Sequence, residues 1–256
     1  MSELEPKFCF STLALGQRYR NMARDLAGDI ETYFPGTSLV VFTDKTLDFK
    51  EQPNVIPFKH RQQGIQHCYN DKRFLLEKSL SLFPSAIHLD ADTRVFSSLS
   101  VFMELNPGLA GRSENLIEHV KKYRPENLAD ITKVASKLEI DLESALWIGE
   151  SLFIVTRDGG KEAEFFHLWG LIGRYLELKG MHSGEGNIIG LAAAKIGWGI
   201  EKTQTWQSLV DTKKHLDASH QRNLSSLEKL QRRIAYHYRL NKERLQALRD
   251  FDFYYR

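Results

Sequence analysis

Cysteine is scarce in this chain: 256 residues carry only Cys9 and Cys68. Two thiols cannot build the disulfide framework of a small secreted domain, and they suit a reducing compartment. Long apolar runs are missing too, and none reaches the ~20 residues of a membrane-spanning helix. Met1 to Lys7 is polar and lacks the apolar core of a signal peptide, so a cytoplasmic protein is expected. Neither sign of charge dominates. Lys and Arg number 35 against 33 Asp and Glu, a formal net charge of +2. That balance gives no general argument for nucleic-acid binding. There is no G-x-G-x-x-G after the first apolar segment and no G-x-x-x-x-G-K-[ST] anywhere, which counts against dinucleotide dehydrogenases and P-loop enzymes. Internal repeats and low-complexity segments are absent.

What is present describes a folded chain: 42% hydrophobic and 27% charged residues. The length suffices for one sizeable α/β domain, and nothing marks a boundary within 1–256. Phe8-Cys9-Phe10-Ser11-Thr12-Leu13 reads as a buried strand. Residues 18–34 read as a helix with Met22, Leu26 and Ile30 on one face, closed by Pro35-Gly36. Ser38-Leu39-Val40-Val41-Phe42-Thr43-Asp44 is a second strand. Strand, helix, strand in that order favours parallel pairing. Asn54-Val55-Ile56-Pro57-Phe58 is a third extended segment, and residues 71–83 are helical by period. Residues 113–145 are charged and helical in pattern, read as an insertion. Residues 146–155 return to strand character, 160–180 and 187–195 are helical, and 224–256 form a basic helical tail.

The most telling stretch is Ile87-His88-Leu89-Asp90-Ala91-Asp92-Thr93. An apolar run ends in two carboxylates one residue apart. If the strand persists through them, both side chains point the same way. Neighbouring like charges repel, and a cation between them relieves the cost. Hard divalent ions prefer oxygen ligands and often keep phosphate oxygens as partners. Asp90 and Asp92 therefore suggest a metal–diphosphate site at a strand end. In doubly wound sheets, ligand sites lie beyond the carboxyl ends of the strands. Ser11-Thr12, Thr43-Asp44 and the acidic pair all stand at such ends. An Asp-x-Asp pair capping a loop is the plain alternative.

The order of these pieces resembles the glycosyltransferases of GT-A fold, which use nucleotide-diphosphate sugars. It looks closest to the retaining transferases related to glycogenin, the bacterial lipopolysaccharide galactosyltransferases and the histo-blood-group enzymes. Leu39-Val40-Val41-Phe42-Thr43-Asp44 resembles the family's second strand. Lys72-Arg73-Phe74-Leu75-Leu76 resembles its helix ahead of the metal motif, and His88-Leu89-Asp90-Ala91-Asp92-Thr93 its Leu-Asp-Ala-Asp-Thr core. Trp147-Ile148-Gly149-Glu150-Ser151-Leu152-Phe153-Ile154 resembles the acceptor-side strand. Ser183-Gly184-Glu185-Gly186-Asn187 resembles the acidic loop and helix start after it. The likeness covers roughly residues 7 to 200. The later half departs from the pattern: the acceptor strand lacks an Asn-Ser-Gly run, and the tail lacks a His-x-x-Gly-x-x-Lys-Pro ending. The third metal ligand and the acceptor stay open.

The resemblance implies an α/β fold of GT-A (Rossmann-like) type, a mixed, mostly parallel sheet flanked by helices. It implies direct metal coordination by Asp92. Asp90 would bind a ribose hydroxyl, or the metal through water. Main-chain groups of Ser11, Thr12 and Leu13 would hold base and ribose, with Asp44 near the base. Arg73 would touch the nucleotide or the carboxylates, with Lys78 as another source of charge. Glu185 would stabilise positive charge at the anomeric carbon; without function it is a first-turn glutamate favoured by the helix dipole. His237 would complete the metal shell, with His182 and His215 as weaker alternatives. An imidazole with two carboxylates suits Mn²⁺ better than Mg²⁺. Trp147, Trp169, Trp198 and Trp206 could include a sugar platform, although large aromatics are mostly core. Arg232, Arg233, Arg239, Lys242, Arg244 and Arg249 could touch an anionic acceptor or a membrane surface, or form a solvated amphipathic face.

The expected activity is metal-dependent transfer of a sugar from a nucleotide-diphosphate donor, UDP-sugar by resemblance, to a glycan, lipid or small-molecule hydroxyl. Retention of configuration is the preferred outcome. Two alternatives stand beside it. One is a sugar nucleotidyltransferase, against which Leu13-Ala14-Leu15-Gly16-Gln17-Arg18 is a poor match for a Gly-rich phosphate loop. The other is a catalytically inactive sugar- or protein-binding module.

Overall fold

The structure is a computed structural model that describes residues 7–99, 105–217 and 225–256. The chain opens with β1 (Cys9–Ala14), α1 (Gln17–Tyr33), β2 (Leu39–Thr43) and β3 (Val55–Lys59), then α2 (Lys72–Leu82), β4 (Ser85–Leu89) and β5 (Thr93–Val95). It continues through β6 (Gly108–Asn115), α3 (Leu116–Tyr123), α4 (Leu128–Lys137), β7 (Leu146–Thr156), α5 (Lys161–Leu178) and α6 (Glu185–Lys195). The last part holds β8 (Ile200–Glu201), α7 (Gln204–Asp211), β9 (Lys213–His215), α8 (Ser226–Ala247) and α9 (Phe251–Tyr255).

Among the described residues, seven strands form one sheet in the order β3-β2-β1-β4-β7-β6-β8. β1, β2, β3 and β4 are mutually parallel where they pair, β7 is antiparallel to both β4 and β6, and β6 runs parallel to β8. The sheet is thus mixed and mostly parallel, as expected. Alternation along β1 sends Cys9 to one face and Phe10 to the other. One face is covered by residues of α2 to α6, including Leu75, Val134, Trp169 and Ile189. The other is covered by Ala23, Leu26 and Ile30 of α1 and Leu209 of α7. Every residue of β2 and β4 is buried, which explains why both read as continuous runs rather than alternating ones.

The charged stretch 113–145 is not a polar excursion. β6 runs through it to Asn115, and Leu116, Val120, Ile131, Val134, Ala135 and Ile140 enter the main core. The strand beginning at Gly108 carries no distinctive pattern in the sequence. β5 and β9 pair antiparallel as a separate two-stranded ribbon, with Thr93 opposite His215. Among the described residues, no helix is long and apolar enough to cross a membrane.

Candidate active site

The strand does not persist through the acidic pair. β4 ends at Leu89, and Asp90 to Asp92 form a tight turn in which the Thr93 amide donates to the Asp90 carbonyl at 3.0 Å. The reason lies next door: β7 pairs with β4 as far as Leu89 opposite Leu152, and the Asp90 amide reaches Ser151 O at 3.2 Å. The turn still gathers the two carboxylates. One donor atom each from Asp90, Asp92 and His215 lie within 4.8 Å of one another. His215 arrives through the β5–β9 ribbon, which begins directly after Asp92. Its Nδ1 is 3.4 Å from Asp92 Oδ1, and the Leu216 amide donates to the Asp92 carbonyl at 2.9 Å.

Behind Asp90 stands a buried cation. Lys72 Nζ donates to Asp90 Oδ1 at 2.9 Å, to Glu185 Oε1 at 2.9 Å and to the Glu150 carbonyl at 3.0 Å. Burial alone would push the amine's pKa down, but the facing carboxylates of Asp90 and Glu185 hold it above its ordinary value. For Asp90, burial works upward and is overcome by Lys72 and His88, which keep the carboxyl below the usual range. His88 is wholly buried, and desolvation lowers its pKa, so it stays neutral at pH 7. Glu150 shifts the other way. Burial and the neighbouring Glu185 push its pKa well above the ordinary value, and its Oε1 accepts from the Gly186 amide at 2.8 Å.

Two glycines permit this crowding. A Cβ at Gly186 would sit 2.2 Å from Ile148 O, and one at Gly190 would sit 1.8 Å from Leu146 O. Spaced four apart on α6, they let the helix backbone lie against β7, and that contact sets Glu185 above Glu150. Glu185 is 3% exposed and occupies the first turn of α6.

These groups form the floor of a cavity of about 1200 Å³. Leu13, Tyr19 and Tyr69 line it, with Arg232, Tyr236 and Arg239 from α8 on the rim. Of the expected residues, Leu13, Asp90, Asp92, Glu185 and His215 meet there, with the tail cations Arg232, Arg233 and Arg239. Ser11 and Thr12 are not among the residues that line it, and their hydroxyls, buried in the sheet, make no hydrogen bond among the described residues. Asp44 stands apart, its two oxygens each 2.7 Å from Arg20 Nη1, and it accepts from the Gly16 amide at 3.0 Å. It ties the end of β2 to the start of α1. Arg73 turns the opposite way, its guanidinium 3.7 Å from the Phe74 ring centroid and packed against Gly170 of α5. His237 is exposed on α8, edge-on to Tyr236, and the structure does not bring it to the carboxylates. His215 stands there instead. Trp147 stacks on His119 at 4.0 Å between ring centroids, and Trp169 is fully buried.

Lys72 and Glu150 are the groups that sequence reasoning passed over. The signal for Lys72 was available. α2 leads into β4 through Phe83 and Pro84 alone and must run back along it, so its first turn returns to the edge where β4 ends. Lys72 opens that turn, and Arg73 lies ~100° further round.

No protein-family model matches the chain, and no curated protein does. Among solved structures, it is similar to the crystal structure of galactosyltransferase LgtC in complex with donor and acceptor sugar analogues. The TM-score is 0.56 at 10% identity, covering 90% of this chain and 95% of that one. The fold is that of the GT-A glycosyltransferases.

Proposed function

We propose that the chain is a metal-dependent glycosyltransferase that takes a sugar from a nucleotide-diphosphate donor, UDP-sugar in preference, and passes it with retention to an acceptor hydroxyl. The observation that carries this reading is the convergence of Asp90, Asp92 and His215 donor atoms on the floor of a cavity that also holds the buried Glu185. Two carboxylates and an imidazole, each offering one atom within 4.8 Å of the others, fit a borderline-hard divalent ion. Asp92 and His215 would hold it, with Asp90 beside them. A bound Mn²⁺ or Mg²⁺ supplies Lewis-acid stabilisation to the leaving nucleoside diphosphate.

The protein's own groups divide the remaining work. Leu13, Tyr19 and Tyr69 give the cavity an apolar and aromatic wall suited to a nucleobase. Lys72, shared between Asp90 and Glu185, fixes the spacing between the metal side and the sugar side. Its charge limits the repulsion between the two carboxylates. Glu150 lies against Glu185, and burial together with that neighbour favours its neutral form. Glu185 then offers a positioned carboxylate to the positive charge that builds at the anomeric carbon, as nucleophile or electrostatically. The rim cations Arg232 and Arg239 suit negative charge on the donor or the acceptor.

The test is a thermal-shift screen of UDP-, GDP- and dTDP-sugars with and without Mn²⁺, followed by turnover of the best donor. Stabilisation that needs nucleotide and metal together, lost in Asp92→Asn, is expected. Stabilisation by nucleoside triphosphates alone would point to nucleotidyl transfer. Indifference to all of them would point to a binding module.

A further inference from the structure

Helix α8 turns a cationic face towards the cavity. At ~100° per residue, Arg232, Tyr236 and Arg239 fall within about 60° of one another, and all three line the cavity with Arg233 beside them. Arg239 is fixed by its Nε, which donates to Ile65 O at 3.0 Å and leaves the two terminal nitrogens for other work. Among the described residues, those nitrogens and the guanidiniums of Arg232 and Arg233 meet no carboxylate. Glu228, on the same face, closes the capping box with Ser225. Lys72 on the floor is already spent on Asp90 and Glu185.

The cavity has two sides. Tyr19 stands with the acidic pair: burial raises its pKa first and Asp92 next. His67, stacked on Tyr69 at 4.9 Å between ring centroids, stands with α8. Burial lowers its pKa, Glu185 raises it and Arg232 lowers it again, so Glu185 and Arg232 both bear on this imidazole. The volume of about 1200 Å³ also exceeds the ~300–1,000 Å³ of a pocket for one small ligand, which leaves room for a second beside the donor.

We propose that the acceptor is a sugar carrying a phosphomonoester, and that Arg232, Arg233 and Arg239 hold this phosphate at the cavity mouth. The inference rests on the glycosyltransferase reading and names its acceptor. A phosphomonoester brings nearly two negative charges and three acceptor oxygens, which suits several guanidiniums; one guanidinium is enough for a carboxylate. The anchored Arg239 gives the group a fixed point, and the exposed Arg232 and Arg233 close on it from the helix surface.

The test is calorimetric titration of the full chain with glucose, galactose and mannose, their 1- and 6-phosphates, and glucuronate. Each is run with saturating UDP and Mn²⁺, and again in EDTA without nucleotide. At least one sugar phosphate is expected to bind about tenfold or more tighter than its parent hexose under both conditions. Arg232→Gln with Arg233→Gln should remove that preference at unchanged melting temperature. A native chain that does not prefer any sugar phosphate overturns the proposal, as does a preference that survives in the variant. So does a preference lost in EDTA or displaced by UDP, since that places the phosphate at the donor's metal. Glucuronate binding as tightly as the sugar phosphates would replace the phosphate with a carboxylate. Sugar-phosphate binding in EDTA by a chain that ignores UDP and Mn²⁺ would instead overturn the transferase reading and leave an anionic-sugar site.

Discussion

Removing the Lys72 ammonium tests the electrostatic design of the site most directly. In Lys72→Met the side-chain length is kept, but Asp90 and Glu185 lose the amine that stands 2.9 Å from each. Glu185 is almost wholly enclosed and the Asp90 side chain is 28% exposed, so water can rescue only the second. Breaking a buried pair by deleting one partner costs about 3–5 kcal/mol. Unfolding entropy for a chain of this length converts each kcal/mol to about 2 °C, so the melting temperature should fall by about 6–10 °C at pH 7.5. The sign of the pH dependence follows from the shifts. Asp90 is depressed in the native protein, so its stabilisation is present above the ordinary carboxylate range and fades only as pH falls below it. Lys72 is raised, so its part is complete below the ordinary lysine range and is lost at higher pH. In the variant the orphaned carboxylates can take up protons on mild acidification, which relieves part of the loss. The gap between native and variant should therefore be widest near neutrality and shrink towards pH 4. Calorimetric melts at pH 4, 5.5 and 7.5 read this directly. A loss below about 2 °C at pH 7.5, unchanged with pH, would show that the amine does not compensate the two carboxylates.

Two further outcomes concern single residues. His215→Ala should weaken Mn²⁺-dependent nucleotide binding by about ten- to a hundredfold in calorimetric titration, whereas His237→Ala should leave it unchanged; the reverse pattern would return the third ligand to α8. Glu177 of α5 is buried with its carboxylate accepting from the Ile65 amide at 3.0 Å and Asn70 Nδ2 at 2.9 Å, and burial raises its pKa from 4.5 to about 6. The folded chain then holds the proton more tightly than the unfolded one, so stability falls as pH rises from 4.5 to about 6 and levels above that. That limb is worth about 2 kcal/mol, and urea titrations of Glu177→Gln should show it flattened relative to the native chain; identical slopes would refute the assignment.

The parts of this fold that read easily from the sequence are local. Periodicity located α1, α2 and α5, and the apolar runs located β1, β2 and β4, because burial on both faces leaves an unbroken hydrophobic string. The acidic pair announced the cavity floor for the same reason: it follows such a string at once. Asp44 and Arg73 show where locality misleads. Both stand at the right place along the chain, but each spends its charge or its stacking face on a neighbour, Arg20 in one case and Phe74 with Gly170 in the other. Helix phase decided the second case, since one residue's rotation separates Lys72 from Arg73.

What the sequence hid was long-range pairing, and the cavity floor depends on it at two points. β7 lies antiparallel to β4, so the residues just before Leu152 must pass the end of β4, which brings Glu150 beside Asp90 rather than to the far edge of the sheet. A parallel β7 would have carried its first half the other way, leaving Glu185 without its carboxyl neighbour. The β5–β9 ribbon does the same for the metal side. Its register sets His215 against Thr93, one residue from Asp92, although more than a hundred residues separate them along the chain. Neither pairing leaves a periodic trace, because β9 spans only Lys213–His215 and Glu150 is a polar position in an otherwise ordinary strand. The residues that complete a site built on strand ends therefore come from wherever the antiparallel return falls. Their identity follows from topology once it is known, and not from spacing.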